Sequence, residues 1–472
     1  MRQRGLLLQC AVALAAVVGI GVGHVAEVRA QPALGDLKPV RRPVPVAELE
    51  RVGQASGLTD CFWAATISPT TFNQLLPDKH AVYWLAQFRL PAHARLSLEG
   101  VYPHARHASF NTYDASGAPV DRLNDRMISP DAGSTNPFLD GARRDAKERS
   151  YRLALAEREV IAGQAIDEST RPPSTLFIPR GADVQQLWYR IYLPDRGQGV
   201  RGGVPLPSAV LTQADGKQLR GDALCRAINI RESLVNDVGL DREVTKQLQS
   251  LSGPGVTSAY HPAQNPPRWF AFFNPALSVT GLLVGTPYES VRDTLDPTRR
   301  GGFYSTLDNS YLSTYIDRRH GPVLVLQARA PTTPATWDGE RLMQSAQLRY
   351  WSICKYRSLA DTAVDTCLAD VDVPLDAQRR YAVVVSKPAD RPANARPECG
   401  VAWMDWGEAG DGLGNTNGGF LILRQMMPAT DFKQSVFSTR KPGEEREVMG
   451  PYFPESRYMS KTAFEAQGCK PG

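Results

Sequence analysis

The chain has 472 residues, too many for one small core, so two domains or a domain pair with connectors is the natural division. Its 54 Lys and Arg against 49 Asp and Glu give a formal charge of +5 with no dense basic stripe, which argues against nucleic acid as a partner. Frequent Gly and Pro, with little long helical periodicity, point to strands and turns.

Residues 1–30 read as a signal peptide. Arg2 and Arg4 form a positive start, Leu6 to Val22 is apolar, and Val28-Arg29-Ala30 places small residues where a signal peptidase cuts. Cys10 has no small residue just before it, so no lipid anchor is expected. Loss of Arg2, Arg4, Arg29 and Glu27 lowers the formal charge from +5 to +3. No later stretch is long and apolar enough to span a bilayer. The mature chain is therefore expected to be exported, periplasmic or secreted, without a membrane span. Residues 31–59 form a Pro-rich N-terminal segment.

Residues 60–225 carry short aromatic and β-branched runs bounded by turn residues. The clearest are Val82–Leu90 (VYWLAQFRL), His107–Tyr113 (HASFNTY) and Leu187–Leu193 (LWYRIYL). Residues 226–298 read as a connector, with helical spacing and charge from Ile228 to Leu251 and a Pro/Gly-rich stretch from Gly253 to Pro267. Residues 299–472 repeat the strand-and-turn pattern. The expected fold is all-β: two tandem β-sandwich domains, jelly-roll-like, with a partly helical connector.

The two halves are similar in ordered blocks. Phe62-Trp63 matches Phe303-Tyr304, and His80–Pro91 matches His320–Pro331. Arg106, Ser109 and Tyr113 match Arg349, Ser352 and Tyr356. Tyr151 matches Tyr381, Leu187–Pro194 matches Leu421–Pro428, Pro205 matches Pro451, and Cys225 falls near Cys469. Collinearity, not any single match, carries the reading of a duplicated domain.

Six cysteines follow the leader: Cys61, Cys225, Cys354, Cys367, Cys399 and Cys469. An even number in an exported chain reads as disulfides. Cys61 and Cys225 stand at the two ends of the first copy and are expected to be bridged. The other four allow three pairings, which the sequence leaves open. No CxxC pair is present to suggest zinc or redox chemistry.

The run Ser109–Asp131 (SFNTYD…VDRLND…ISPD), followed by Leu187–Asp195 (LWYRIYLPD), resembles domain of unknown function 1214, often paired with domain of unknown function 1254. The resemblance implies a β-sandwich of jelly-roll type. The chain lacks the family's Asn-Trp-Leu-Pro stretch, and no catalytic residues come with the resemblance.

HExxH, GxSxG, Walker and GxGxxG patterns are absent, and no cofactor or metal is expected. His104 and His107 form HxxH, but on a strand residues three apart point to opposite faces. Strand alternation puts His107, Ser109, Asn111 and Tyr113 on one face. The second copy has Gln347 and Tyr350 in place of His104 and His107, so the histidines mark a place where function could have specialised. His107, Ser109 and Tyr113 are the candidate catalytic groups. Asn111, with Trp188, Arg190 and Tyr192 on one face of the late strand, could line a ligand pocket. The blander readings are a solvated polar face for the first row, and a structural ion pair for Arg190 and its counterpart Arg424. The oxygen-rich loop from Trp403 to Gly419 reads as a plain hairpin, because Leu413 interrupts the alternation a calcium loop needs.

The leading functional expectation is an exported binding or accessory protein holding a small, partly apolar ligand. One alternative is a hydrolase or lyase acting on a small hydrophobic molecule with His107 as acid or base. Another is an envelope structural or interaction protein.

Overall fold

The computed structural model of the chain describes residues 40–55, 57–58, 61–115, 117–159, 166–229, 236–250, 259–284 and 304–469. The expected signal peptide and residues 31–39 lie outside the described residues. Among the described residues, no helix is long and apolar enough to cross a membrane.

The described chain opens with β1 (Val40–Pro43) and helix α1 (Val46–Ala55). The first sandwich follows: β2 (Ala65–Ile67), β3 (Ala81–Phe88), β4 (Arg95–Val101), β5 (Ala105–Tyr113), β6 (Pro119–Asn124), β7 (Ser150–Arg158), β8 (Thr175–Pro179), β9 (Gln185–Pro194), β10 (Ser208–Thr212) and β11 (Gln218–Leu219). Helix α2 (Gly221–Ile228), β12 (Asn236–Gly239) and helix α3 (Arg242–Gln249) form the connection. The second sandwich comprises β13 (Phe270–Ala271), β14 (Asn309–Asp317), β15 (Val323–Arg329), β16 (Leu348–Tyr356), β17 (Val364–Ala369), β18 (Arg380–Ser386), β19 (Val401–Asp405), β20 (Gly418–Pro428) and β21 (Glu455–Met459).

The sheets reveal a tandem pair with one connectivity. In the first sandwich one sheet runs β2-β3-β9-β5-β6 and the other β11-β10-β4-β7-β8; in the second they run β13-β14-β20-β16-β17 and β19-β18-β15-β21. Each sandwich contains a parallel pair at the same place, β7 with β8 and β18 with β19.

Four layers result. Trp84, Phe110 and Tyr189 of the first inner sheet pack on Leu98 and Leu153 of its outer sheet. Trp351, Ile353 and Leu423 pack on Leu326 and Val383 in the second sandwich. The remaining faces of the two inner sheets meet each other through Tyr83, Tyr113, Trp188, Tyr192, Tyr304, Tyr350 and Met426. Strands β5 and β16 are consequently buried at all nine positions each. The expectation of a solvated polar face around His107 is thus corrected: that row faces the second sandwich.

Hydrogen-bond register also corrects the repeat. Residues 81–88 correspond to 309–317, not to the stretch after His320, because β3 and β14 are the strands paired with β9 and β20. The run after His320 forms β15, the counterpart of β4 in the outer sheet. The run after His320 is apolar and leads to Pro331 as β3 leads to Pro91, whereas β14 carries Asn309, Ser310, Ser313, Thr314 and Asp317, so residue pattern pointed to the wrong strand. The Phe62/Phe303 match lies outside the described residues at Phe303. The matches from Arg106 to Leu187–Pro194 lie on equivalent strands: Arg190 is opposite Tyr83 and Ser109, as Arg424 is opposite Tyr311 and Ser352. Cys225 and Cys469, by contrast, lie off the strands and are bridged to Cys61 and Cys399, which hold different places.

Two local readings change as well. The helical stretch expected from Ile228 to Leu251 is divided, because Asn236–Gly239 pairs with β1 and Asp241 caps α3 by accepting from the backbone N–H groups of Glu243 and Val244. The loop after β19 is not a hairpin; it crosses from the outer sheet to the inner one, and Asp411 accepts from the backbone N–H groups of Leu413 and Asn415 within it. Disulfides join Cys61 to Cys225, Cys354 to Cys367, and Cys399 to Cys469. Three such bonds fit an oxidising compartment.

Candidate functional site

Period-two alternation sends Tyr189 and Ile191 into the first sandwich core and Trp188, Arg190 and Tyr192 toward the second sandwich. There they line a cavity of ≈ 50 Å³ between the inner sheets. Tyr83, Tyr304, Tyr311, Phe420, Ile422 and Arg424 complete most of its wall. The expected ligand residues Trp188, Arg190 and Tyr192 are brought together, and Tyr113 stands behind Arg190. His107, Ser109 and Asn111 lie elsewhere in the same interface.

Two segments cross between the sandwiches, one before β3 and one before β14. The backbone N–H groups of Leu75 and Leu76 donate to the side chain and carbonyl of Thr362. The Leu76 carbonyl accepts from Arg424, and the Tyr304 carbonyl accepts from Arg190. Leu76 and Tyr304 share a left-handed backbone, φ 55° and 54°. Each is followed by the same turn. The Asp78 carboxylate accepts from the His80 N–H and its carbonyl from Ala81; the Thr306 hydroxyl accepts from the Asp308 N–H and its carbonyl from Asn309.

The two arginines differ in what meets them. Arg424 donates to the Asp78 carboxylate, which also accepts from Ser352 Oγ at 2.6 Å and Tyr350 OH at 3.0 Å. Burial pushes the Asp78 carboxyl up, but Arg424, His80 and Ser352 outweigh it and hold the group well below the usual carboxylate range. His80 bridges Asp78 and Asp372, the latter at 2.9 Å. Arg190 instead donates to the Tyr113 hydroxyl and the Tyr304 carbonyl, with its guanidinium 4.5 Å from the Tyr83 ring centroid and 5.2 Å from that of Trp188. The Tyr304 ring stacks on Trp188 at 4.6 Å, closing that side of the cavity.

His107 forms a separate buried cluster. Its Nδ1 lies 2.8 Å from Asp125 and its Nε2 3.7 Å from Asp308 of the other sandwich. Asp308 also accepts from Asn124 Nδ2 at 2.8 Å and forms an ion pair with Arg122, whose Nε lies 2.9 Å away. Ser109 Oγ accepts from Asn111 Nδ2 at 3.1 Å. His104 lies outside this cluster, against Arg149, and burial lowers its pKa.

Among the described residues, the one group with metal-like spacing is Asp78, Cys354 and Cys367, whose sulfurs are joined in a disulfide. Sequence reasoning missed Asp78, Tyr83, Tyr304 and Tyr311. Aligning Tyr83 with Tyr311 would have found them, because each stands seven residues beyond its crossing residue, Leu76 or Tyr304.

No protein-family model and no curated protein matches the chain. Among solved structures, an uncharacterised protein of Burkholderia cenocepacia is similar at 13% identity over 89% of this chain and 88% of its own, with a TM-score of 0.44. A protein of Vibrio parahaemolyticus is similar at 9% identity over 81% of this chain and 90% of its own, with a TM-score of 0.35.

Proposed function

We propose that the chain is an exported binding protein, periplasmic or secreted, that holds a small, partly apolar ligand between its two sandwiches. The observation that supports this is the aromatic cavity, which has a few convergent polar groups and sits at a domain interface, where ligand sites concentrate. His107 faces two carboxylates rather than the cavity, which favours binding over acid–base chemistry. The resemblance to domain of unknown function 1214 belongs to the same reading and concerns fold alone. The test is recovery of a bound molecule. Mature protein from an exporting host, extracted under denaturing conditions, should release a stoichiometric small molecule by mass spectrometry. Ser313→Phe, which fills the cavity, should abolish that recovery while circular dichroism stays unchanged. Equal recovery from the filled variant, or none from either protein, would overturn the reading.

A further inference from the structure

Duplication gives the cavity two equivalent arginines, and only one has an acid. Arg424 meets Asp78. The turn that reaches Arg190 has the same backbone form and the same internal hydrogen bonds, but Thr306 stands where the other turn has Asp78. A hydroxyl replaces a carboxylate. Among the described residues, no carboxylate lies within ion-pair distance of Arg190, although the residue is only 3% exposed. Its Nε has no hydrogen-bond partner, and among the described residues only Nη2 donates.

A buried guanidinium without a counter-ion is costly, and ring faces with neutral acceptors offset only part of that cost. Nη2 is taken up by Tyr113 and the Tyr304 carbonyl, which leaves Nε or Nη1 to give a single charge-assisted N–H bond to a carboxylate oxygen. Size then limits the ligand. At ≈ 50 Å³ the cavity is about a third of the roughly 150 Å³ at which a dry protein cavity accepts benzene. We infer that the cavity takes a short aliphatic monocarboxylate, its anion on Arg190 and its alkyl end against Tyr311, Phe420 and Ile422. The ligand carboxylate supplies in the first copy the charge that Asp78 supplies in the second.

This inference rests on the binding reading above, and the experiment separates the two. The mature protein is titrated calorimetrically with propionate and with propionamide, which has the same shape without the charge. Propionate should bind at least tenfold more tightly, Arg190→Gln should remove that preference, and Arg190→Lys should retain part of it. Equal binding of both compounds to the wild type overturns the charge assignment and leaves the cavity as a neutral site. Binding of neither overturns the monocarboxylate inference, while the binding reading stands or falls on the recovery of a bound molecule. Propionate binding that persists in folded Arg190→Gln places the anion elsewhere and also overturns the inference. Should Arg190→Gln fail to fold, the wild-type comparison of the two compounds decides.

Discussion

Asp78 belongs to the first sandwich, yet its carboxylate closes an ion pair with Arg424 of the second, and both groups are buried. The two sandwiches are therefore joined by a charge pair whose members have left water together. Such a pair is sensitive to loss of one partner, because the survivor stays buried without compensation.

Asp78→Asn should lower stability by about 3–5 kcal/mol. Arg424 loses its counter-charge, while Ser352 and Tyr350 still find an amide oxygen to donate to. Urea unfolding of the mature protein measures this. A loss under about 1 kcal/mol would mean that the pair is solvated in solution.

His80 makes the same junction pH-dependent. Burial lowers its pKa, but Asp372 and Asp78 raise it further, to about 9. The folded value lies above the unfolded one, near 6.5. The stabilisation is thus complete below about pH 6.5 and is lost as pH rises through about 9. His80→Gln should cost at most roughly 3 kcal/mol near pH 6 and almost nothing near pH 10. A pH-independent difference between wild type and variant would contradict this account.

His107 is fully buried between Asp125 and Asp308, so its removal is a packing and charge change. His107→Ala should destabilise by about 3 kcal/mol, leaving two buried carboxylates without the imidazole. Ligand affinity, measured where the variant remains folded, should change little, because the ring does not line the cavity. Unchanged stability with lost binding would reverse the assignment.

Gly117 has φ +75°, and a Cβ there would meet the Tyr304 ring at 3.0 Å. Gly117→Ala should cost about 1–2 kcal/mol through backbone strain and displacement of that ring. Because Tyr304 stacks on Trp188, tryptophan emission should shift as well. A variant with wild-type stability and emission would show that the crossing segment tolerates the added methyl.

The sequence by itself determined the strand-rich class, the duplication, and the equivalence of Arg190 with Arg424. Those follow from local alternation and from residues kept at matching places in both copies. It could not decide which run is the counterpart of β3, because β15 resembles β3 in sequence more than β14 does and only hydrogen-bond register shows β14 in the matching place. Nor could it tell that the row from His107 to Tyr113 is buried. Alternation assigns a residue to a face, but what covers that face depends on how the two sandwiches dock. The cavity is likewise tertiary: its walls come from both inner sheets and from crossing segments far apart in the chain. Asp78 and Thr306 gain their meaning only there, since a carboxylate and a hydroxyl cap the same turn equally well until each is set against a buried arginine.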